Sequence, residues 1–532
     1  MKHSVFVLFA FLTALCCSCK DGTSPIPWSS NNDVLSIAMA DDPQSLDPRL
    51  VRRLETVTAL RMLYEGLLTT DREGQVIPGI AERYALSDDN KTYTFFLRDS
   101  TWSDGTPLTA QDFVETWRSV LSPSFPAPNA YQLFLIKGAK EAKEGTLPLE
   151  AIGVNAVDDK TLVVELKEPA PYFTELVSSY FFYPVSKPMR VSGGEWNRNE
   201  VVGNGPFVLK SWKRRAEFLV KRNPHYWDAA NVKVAAVSLQ ILDENTALQL
   251  FKAGSLDWAG SPLSALPQDA MASLKKQGLL KVASGAGTHW FRVNTMKPPF
   301  NNAKMRKAFA LAINRQAIVD HITKGGQQPA MQLVPPAFGL RPQNYFSDHN
   351  SSVANALFEE ALKEEGISRD ALPPIALRYA ANRDREHKVA QAVQQQWKKV
   401  LHVDVALDNT ESQVLYDKMR TGDYQLCLGS WFADFQDPIN FLEVFQFKDN
   451  PTNQTFWHSL SYARLLDRSS QATSERKRNA LLTEAETELM AAMPVIPLFH
   501  SAYNYLESDR VEGVVLSPLG ILDFKHAVLL QR

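Results

Sequence analysis

Hydrophobic and polar positions change period many times along the chain, and no repeat unit recurs. Residues 34–40 (VLSIAMA) alternate in part and predict a strand that stops at DDPQSLDP. Residues 56–64 have helical spacing, and residues 91–97 (KTYTFFL) read as a strand. The turn-rich stretch 101–109 leads into a helix over 110–121, with Thr109 and Asp112 at its start as capping residues. Two strands flank the turn VDDKT within 154–166, and strands follow over 207–222 and 234–242. A helix over 244–253 ends at Gly254. In the second half, helices are predicted over 302–313 and 315–322. Another covers 354–365, with Leu357, Phe358, Ala361 and Leu362 on one face and a stop at Gly366. Val389, Val393, Trp397 and Val400 form a helical stripe before a strand over 403–407. The nearly continuous apolar run 424–431 suits a strand buried on both faces, and residues 474–490 a long helix. This mixture implies an α/β or α+β protein with more than one core, in which the aromatic stripes are core.

Composition narrows the class. A chain of 532 residues predicts two to four domains at roughly 150 residues each. The hydrophobic share of 45% and charged share of 22% exclude a disordered chain, a collagen-like fibre and a polytopic membrane protein. A net charge of -2 argues against a dedicated nucleic-acid binder, so no nucleic-acid partner is expected.

The first 18 residues have a positive Lys2, an apolar stretch from Val5 to Leu15 and small residues before Cys19, the pattern of a secretory signal. Its Cys-rich end resembles a bacterial lipoprotein signal, with Cys19 the acylated residue; Cys16 and Cys17 are the alternatives. Acyl chains there would hold the protein to a bilayer surface. Residues 19–32, polar with two prolines, read as a tether. Cys427, in YQLCLGSWF, is the one cysteine outside this segment and is expected to be a buried, inert thiol.

Catalytic and metal-binding patterns are missing from the sequence. No G-x-S-x-G, P-loop or H-E-x-x-H occurs, and the ten histidines are dispersed with no i,i+4 pair. No metal, cofactor or catalytic residue is therefore expected. Gly203-Asn204-Gly205 reads as a turn. Asp88-Asp89 and Asp158-Asp159 fall in predicted turns. Asp434 and Asp437, in WFADFQDP, differ: they follow a buried strand and lie among Trp431, Phe432, Phe435 and Phe441. An ionised carboxylate in such surroundings needs a cation. That cation is either an internal partner or a ligand ammonium, unless the carboxylate serves as an N-cap.

Eight blocks resemble, in order, the oligopeptide-binding proteins of ATP-driven peptide importers, the family 5 solute-binding proteins. They are DDPQSLDP (41–48), LYEGLLTTDREGQVIPGIAERY (63–84), YTFFLRDSTWSDGTPLTAQDFVETW (93–117), EPAPYF (168–173), NGPFVLKSW (204–212), NPHYW (223–227), KPPFNNAKMRKAFALAINR (297–315) and WFADFQDPINFL (431–442). The resemblance implies an α/β, two-lobed periplasmic-binding-protein clamp with a satellite domain. Lobe I would comprise 33–66, 187–286 and 500–532, the satellite 67–186, and lobe II 287–499. Crossing strands near 285–290 and 498–502 would form the hinge.

It further implies a monomeric, non-enzymatic receptor on the periplasmic side of the bacterial envelope, passing short peptides to an inner-membrane ABC permease. The ligand would meet backbone groups of Ser430, Trp431, Phe432 and Ala433, the Asp434 carboxylate and Tyr131. Trp431 would wall a side-chain pocket. The alternatives are a dedicated ligand in the same clamp (a cell-wall peptide, a nickel complex, haem or an opine) or a secreted chaperone or adhesin. The sequence departs from the family pattern at Phe432, where some members carry a disulfide cysteine, and at NTESQVLYDKM, which includes Glu411 and Ser412 where a Trp is common. Basic residues that hold a ligand C-terminus in some members have no clear match.

Overall fold

The computed structural model describes residues 33–51, 53–191, 201–381, 383–472 and 474–530; the signal segment, its cysteines and the tether lie outside these. One mixed sheet runs through both lobes. From the second-lobe edge its order is Val405–Thr410, Ile375–Ala380, Leu426–Phe432, Lys281–Val293, Val495–Glu507, Trp258–Gly260, Val34–Met39, Ala236–Ile241, Glu217–Arg222 and Phe207–Lys213. Gln328–Pro329 pairs off this path with Val495–Glu507. The satellite has its own four-stranded antiparallel sheet of Ala81–Leu86, Thr92–Leu97, Thr161–Glu165 and Val154–Asp158.

Lys281–Val293 and Val495–Glu507 are 13 residues each and belong to both lobes. They pair antiparallel, Lys281↔Tyr505 at the first-lobe end and Arg292↔Val495 at the other. The register shifts between Ser284 and Thr288. Gly285 and Gly287 lie in that interval. A Cβ on Gly287 would stand 2.5 Å from the Phe432 ring and 2.7 Å from Ser501 Oγ, so only glycine lets the strands pass this closely. The predicted hinge segments fall inside this pair.

Most predicted elements form with small changes of boundary. The helix Ala110–Leu121 carries the Thr109/Asp112 capping box, which satisfies two N-terminal donors reciprocally. Asp384–Leu401 buries Val389, Val393, Trp397 and Val400. Trp397 also donates its indole N–H to the Phe309 carbonyl at 2.9 Å. Arg315–Ile318 is shorter than expected and runs on as a π-turn, Val319–Thr323. The apolar run ending at Trp431 forms the strand Leu426–Phe432, but only its first three residues are buried. The expectation of burial on both faces fails beyond Leu428. Its neighbour Ile375–Ala380 pairs with Leu426 and Cys427 alone, then diverges.

The first lobe has its own core around Leu35, Ile37, Val237, Leu239 and Trp258, whereas the apolar interiors of the satellite and second lobe are continuous. The satellite also grips the first lobe: Arg49 Nη1 donates to Ser119 Oγ at 3.0 Å. The NGP and NPHYW segments converge on Glu65, at the end of the helix Leu54–Leu63. Asn204 accepts from the Glu65 N–H (3.1 Å) and donates to its carbonyl (2.9 Å), while Tyr226 and Trp227 donate to the carboxylate. Gly203 and Gly205 make this approach possible, since a Cβ on Gly203 would stand 2.0 Å from the Leu63 carbonyl oxygen. Gly203→Ala is expected to lower the unfolding free energy by about 1–3 kcal/mol, the usual cost of overpacking, read from a denaturant midpoint.

Candidate ligand site between the satellite and the second lobe

The strand Leu426–Phe432 delivers the chain to the seam between satellite and second lobe. One edge pairs with Lys281–Val293, Ser430↔His289, Trp431↔Thr288 and Phe432↔Gly287, and the Ala433 N–H continues this to the Ala286 carbonyl at 2.9 Å. Beyond Cys427, the other edge pairs with no strand among the described residues. Such an edge offers backbone groups to an added strand. Ser430 and Trp431 are half-buried, Phe432 is 49% exposed and Ala433 is buried.

After the strand the chain is fixed by two side chains that sequence reasoning did not single out. Buried Asn440 accepts from the Trp431 indole N–H at 3.0 Å and from the Asp434 backbone N–H at 3.2 Å. Arg478 grips Asp437 with two bonds of 2.7 and 2.8 Å. Asp437 also accepts from the Ile439 N–H at 2.9 Å. The two acids of WFADFQDP thus differ in their partners. Asp437 has an internal cation. Asp434 has none among the described residues.

Asp434 Oδ2 instead accepts from Tyr131 Oη at 3.2 Å and Gln132 Nε2 at 3.1 Å, both from the short satellite helix Ala130–Leu133. Burial pushes the Asp434 carboxyl above its usual range, and these two bonds hold it down in part. Tyr131 is 50% exposed, with its phenol raised by desolvation and by the adjacent carboxylate. A further cross-seam contact is the stacking of Tyr172 on Phe435, centroids 5.2 Å apart.

The cavity beside the free edge has a volume of about 510 Å³. Ser430, Phe432, His289, Phe499 and Arg385 line it, with Ser261 from the first lobe. His289 stacks on Phe499 (4.6 Å) and meets the Phe432 ring edge-on. Desolvation, with Arg385 and Arg383 nearby, pushes its pKa down to about 4, so the ring is neutral. Cys427 is buried on the opposite sheet face, and its thiol is pushed up to about 12 by burial. Among the described residues, no three metal-ligating side chains gather, and no helix is long and apolar enough to cross a membrane.

The seam is acidic. Burial, with Asp437 as a neighbouring charge, raises Glu175 to about 8; burial, with Asp437 and Asp434, raises Glu443 to about 8. Both folded-state values lie above the ordinary 4.5, so their contribution to stability is fully present below that pH and is lost as pH rises through about 8. The thermal midpoint of the ligand-free protein is therefore expected to fall between pH 5 and pH 8.5. Glu175→Gln should raise it by a few degrees at the upper pH and flatten the dependence, as read by calorimetry.

The model of bacterial extracellular solute-binding proteins, family 5, matches residues 75–453. The chain is 38% identical over 541 aligned residues to the oligopeptide-binding protein OppA of Bacillus subtilis, covering 99% of each. Among solved structures, the murein tripeptide-binding protein MppA in its unliganded open form superposes with a TM-score of 0.84 at 29% identity, covering 94% of this chain and 98% of that one. OppA of Haemophilus influenzae in complex with RPPGFSPFR gives 0.73 at 28% identity, covering 94% and 99%. The superposition is thus better on the unliganded open form than on the peptide complex. The expected fold, a two-lobed α/β clamp with a satellite, is thereby established, and the chain belongs to family 5 of the bacterial extracellular solute-binding proteins.

Proposed function

We propose that this protein captures short peptides in its interlobe cleft and delivers them to an ATP-driven importer of the inner membrane. The observation that carries the reading is the Asp434 carboxylate, set in the seam with two neutral donors and no cation among the described residues. A peptide's α-ammonium supplies the missing charge. The free edge of Leu426–Phe432 then pairs with the peptide backbone, which every sequence shares. Side chains on one face of the bound strand enter the cavity beside Ser430 and Phe432, and those on the other face Trp431. The named relatives agree: one is an oligopeptide-binding protein, and a solved neighbour holds a nine-residue peptide.

In this reading the clamp closes as a rigid-body hinge on the two shared strands. Lobe I is 33–66, 187–286 and 500–532, the satellite 67–186, and lobe II 287–499. Acylation at Cys19 keeps a monomer at the membrane surface on the outer side of the permease. The chemistry needed is recognition and release, with no covalent step.

A second reading, a dedicated cell-wall peptide, is favoured by the similarity to the murein tripeptide-binding protein. Native mass spectrometry of freshly isolated protein separates the two. A ladder of masses a few hundred daltons above the empty chain means mixed peptides, and one discrete mass means a dedicated ligand.

Asp434→Asn is expected to weaken peptide binding by about two orders of magnitude or more without unfolding the protein, because it strands a desolvated ammonium. N-acetylation of the peptide should cost the wild type a similar factor. Unchanged calorimetric affinity in either experiment would remove Asp434 from the site.

A further inference from the structure

Among the described residues four arginines are buried in the second lobe, and three of them donate to carbonyl or carboxylate oxygens, although Arg315 Nη2 and Arg478 Nε are left without a partner. Arg306 donates to the Phe300, Asn301 and Ala492 carbonyls. Arg315 donates to the Pro497 and Ala310 carbonyls and pairs with Asp348, and Arg478 pairs with Asp437. Arg292 differs in having no oxygen acceptor among the described residues. It is 8% exposed; its one hydrogen bond among the described residues is Nη1 to Met419 Sδ at 4.0 Å, and its guanidinium carbon lies 5.7 Å from the centroid of the Trp290 ring. Its Nε has no partner, and no carboxylate pairs with it among the described residues. Desolvation lowers its pKa, and the titratable groups nearest to it are Cys427, Tyr424 and Tyr416.

A second orphan donor lies beside it. The indole N–H of Trp290, fully buried two residues earlier on the same strand face, also has no partner. Both groups point at Gly429. A Cβ there would stand 3.0 Å from Arg292 Nη1 and 3.8 Å from Trp290 Nε1. Gly429 is half-buried and belongs to the free-edged part of Leu426–Phe432. A buried guanidinium and a buried indole N–H, both unsatisfied and both at a gap left by glycine, form a socket for an anion with paired oxygens. Gly429 lies four residues before Ala433. An extended ligand anchored at Asp434 and running back along this edge advances about 3.3 Å per residue, which brings its third or a later residue opposite Gly429.

We propose that Arg292 and Trp290 receive a carboxylate of the bound peptide, either an Asp or Glu side chain at its third or a later residue or its free C-terminus. This rests on the peptide reading above and adds a charge preference to it: a cation at this position would meet Arg292 and be rejected.

The test uses alanine pentapeptides bearing Glu, Gln or Lys at position 3, 4 or 5, each with a free or amidated C-terminus. Their affinities are measured by calorimetry for the wild type and Arg292→Met. The wild type is expected to bind at least one Glu peptide, or the free acids as a group, about tenfold more tightly than the matching Gln peptide or amide. Lys should be weakest. Loss on Glu→Gln identifies a side-chain carboxylate, and loss on amidation the C-terminal one. In Arg292→Met the preference should vanish, while the amidated Gln peptides bind as before and still require a free amine. Trp290→Phe, which removes the N–H and keeps most of the ring, should reduce the preference if Arg292→Met does not fold. Charge-blind binding that still requires the free amine, or a preference that survives in these variants, overturns the carboxylate socket alone. Absence of binding by every peptide overturns the peptide reading with it.

Discussion

Everything in this molecule hangs on the pairing of two 13-residue strands that belong to both lobes. Their first-lobe halves carry Trp258–Gly260 and the parallel pair Val34–Met39 and Ala236–Ile241. Their second-lobe halves carry Leu426–Phe432 and Ile375–Ala380. Backbone pairing is directional and short-ranged, so the two bodies cannot drift apart without breaking it. The register shift and the two glycines between Ser284 and Thr288 place the pliable interval next to Phe432 and Ser501, hence next to the site. On the peptide-receptor reading, relative motion of the lobes acts where the ligand lies.

The charges around the seam are distributed unevenly. Asp437 and Arg478 neutralise each other and fix the loop after the strand. Asp434 and Arg292 have no opposite charge among the described residues, and they lie toward the two ends of the free edge of Leu426–Phe432. A protein gains nothing in folding from burying single charges, since desolvation opposes each. On the peptide-receptor reading, their place at opposite ends of one strand edge matches the polarity of a peptide, whose amine lies at one end and whose carboxylate lies further along.

Much of the fold was legible in the sequence because it rests on local rules. The Thr109/Asp112 box, the stripe on Asp384–Leu401 and the glycine stops each show within a dozen residues. The site was legible only in part. Two aspartates three residues apart looked alike, and what separates them is Arg478, 41 residues on and brought close by a different helix. Gln132 and Asn440 carry no periodic signal, and their roles appear only once the satellite meets the second lobe. The apolar run through Trp431 suggested a strand covered on both sides. Its exposed end follows from the divergence of Ile375–Ala380 after Arg378, which no local pattern announces. Arg292 lay unmarked within a strand, because its lack of a partner depends on the register of its neighbours.

The Tyr131 and Gln132 bonds to Asp434 have a consequence for unloading. They are a built-in competitor, present at a fixed effective concentration however dilute the cargo. On the peptide-receptor reading, an arriving amine exchanges with two satellite donors instead of entering a vacant acidic hole. A departing one leaves the carboxylate with partners to recapture. Such an exchange lowers the barrier to letting go, and a carrier that hands its load onward needs an exit as much as a grip.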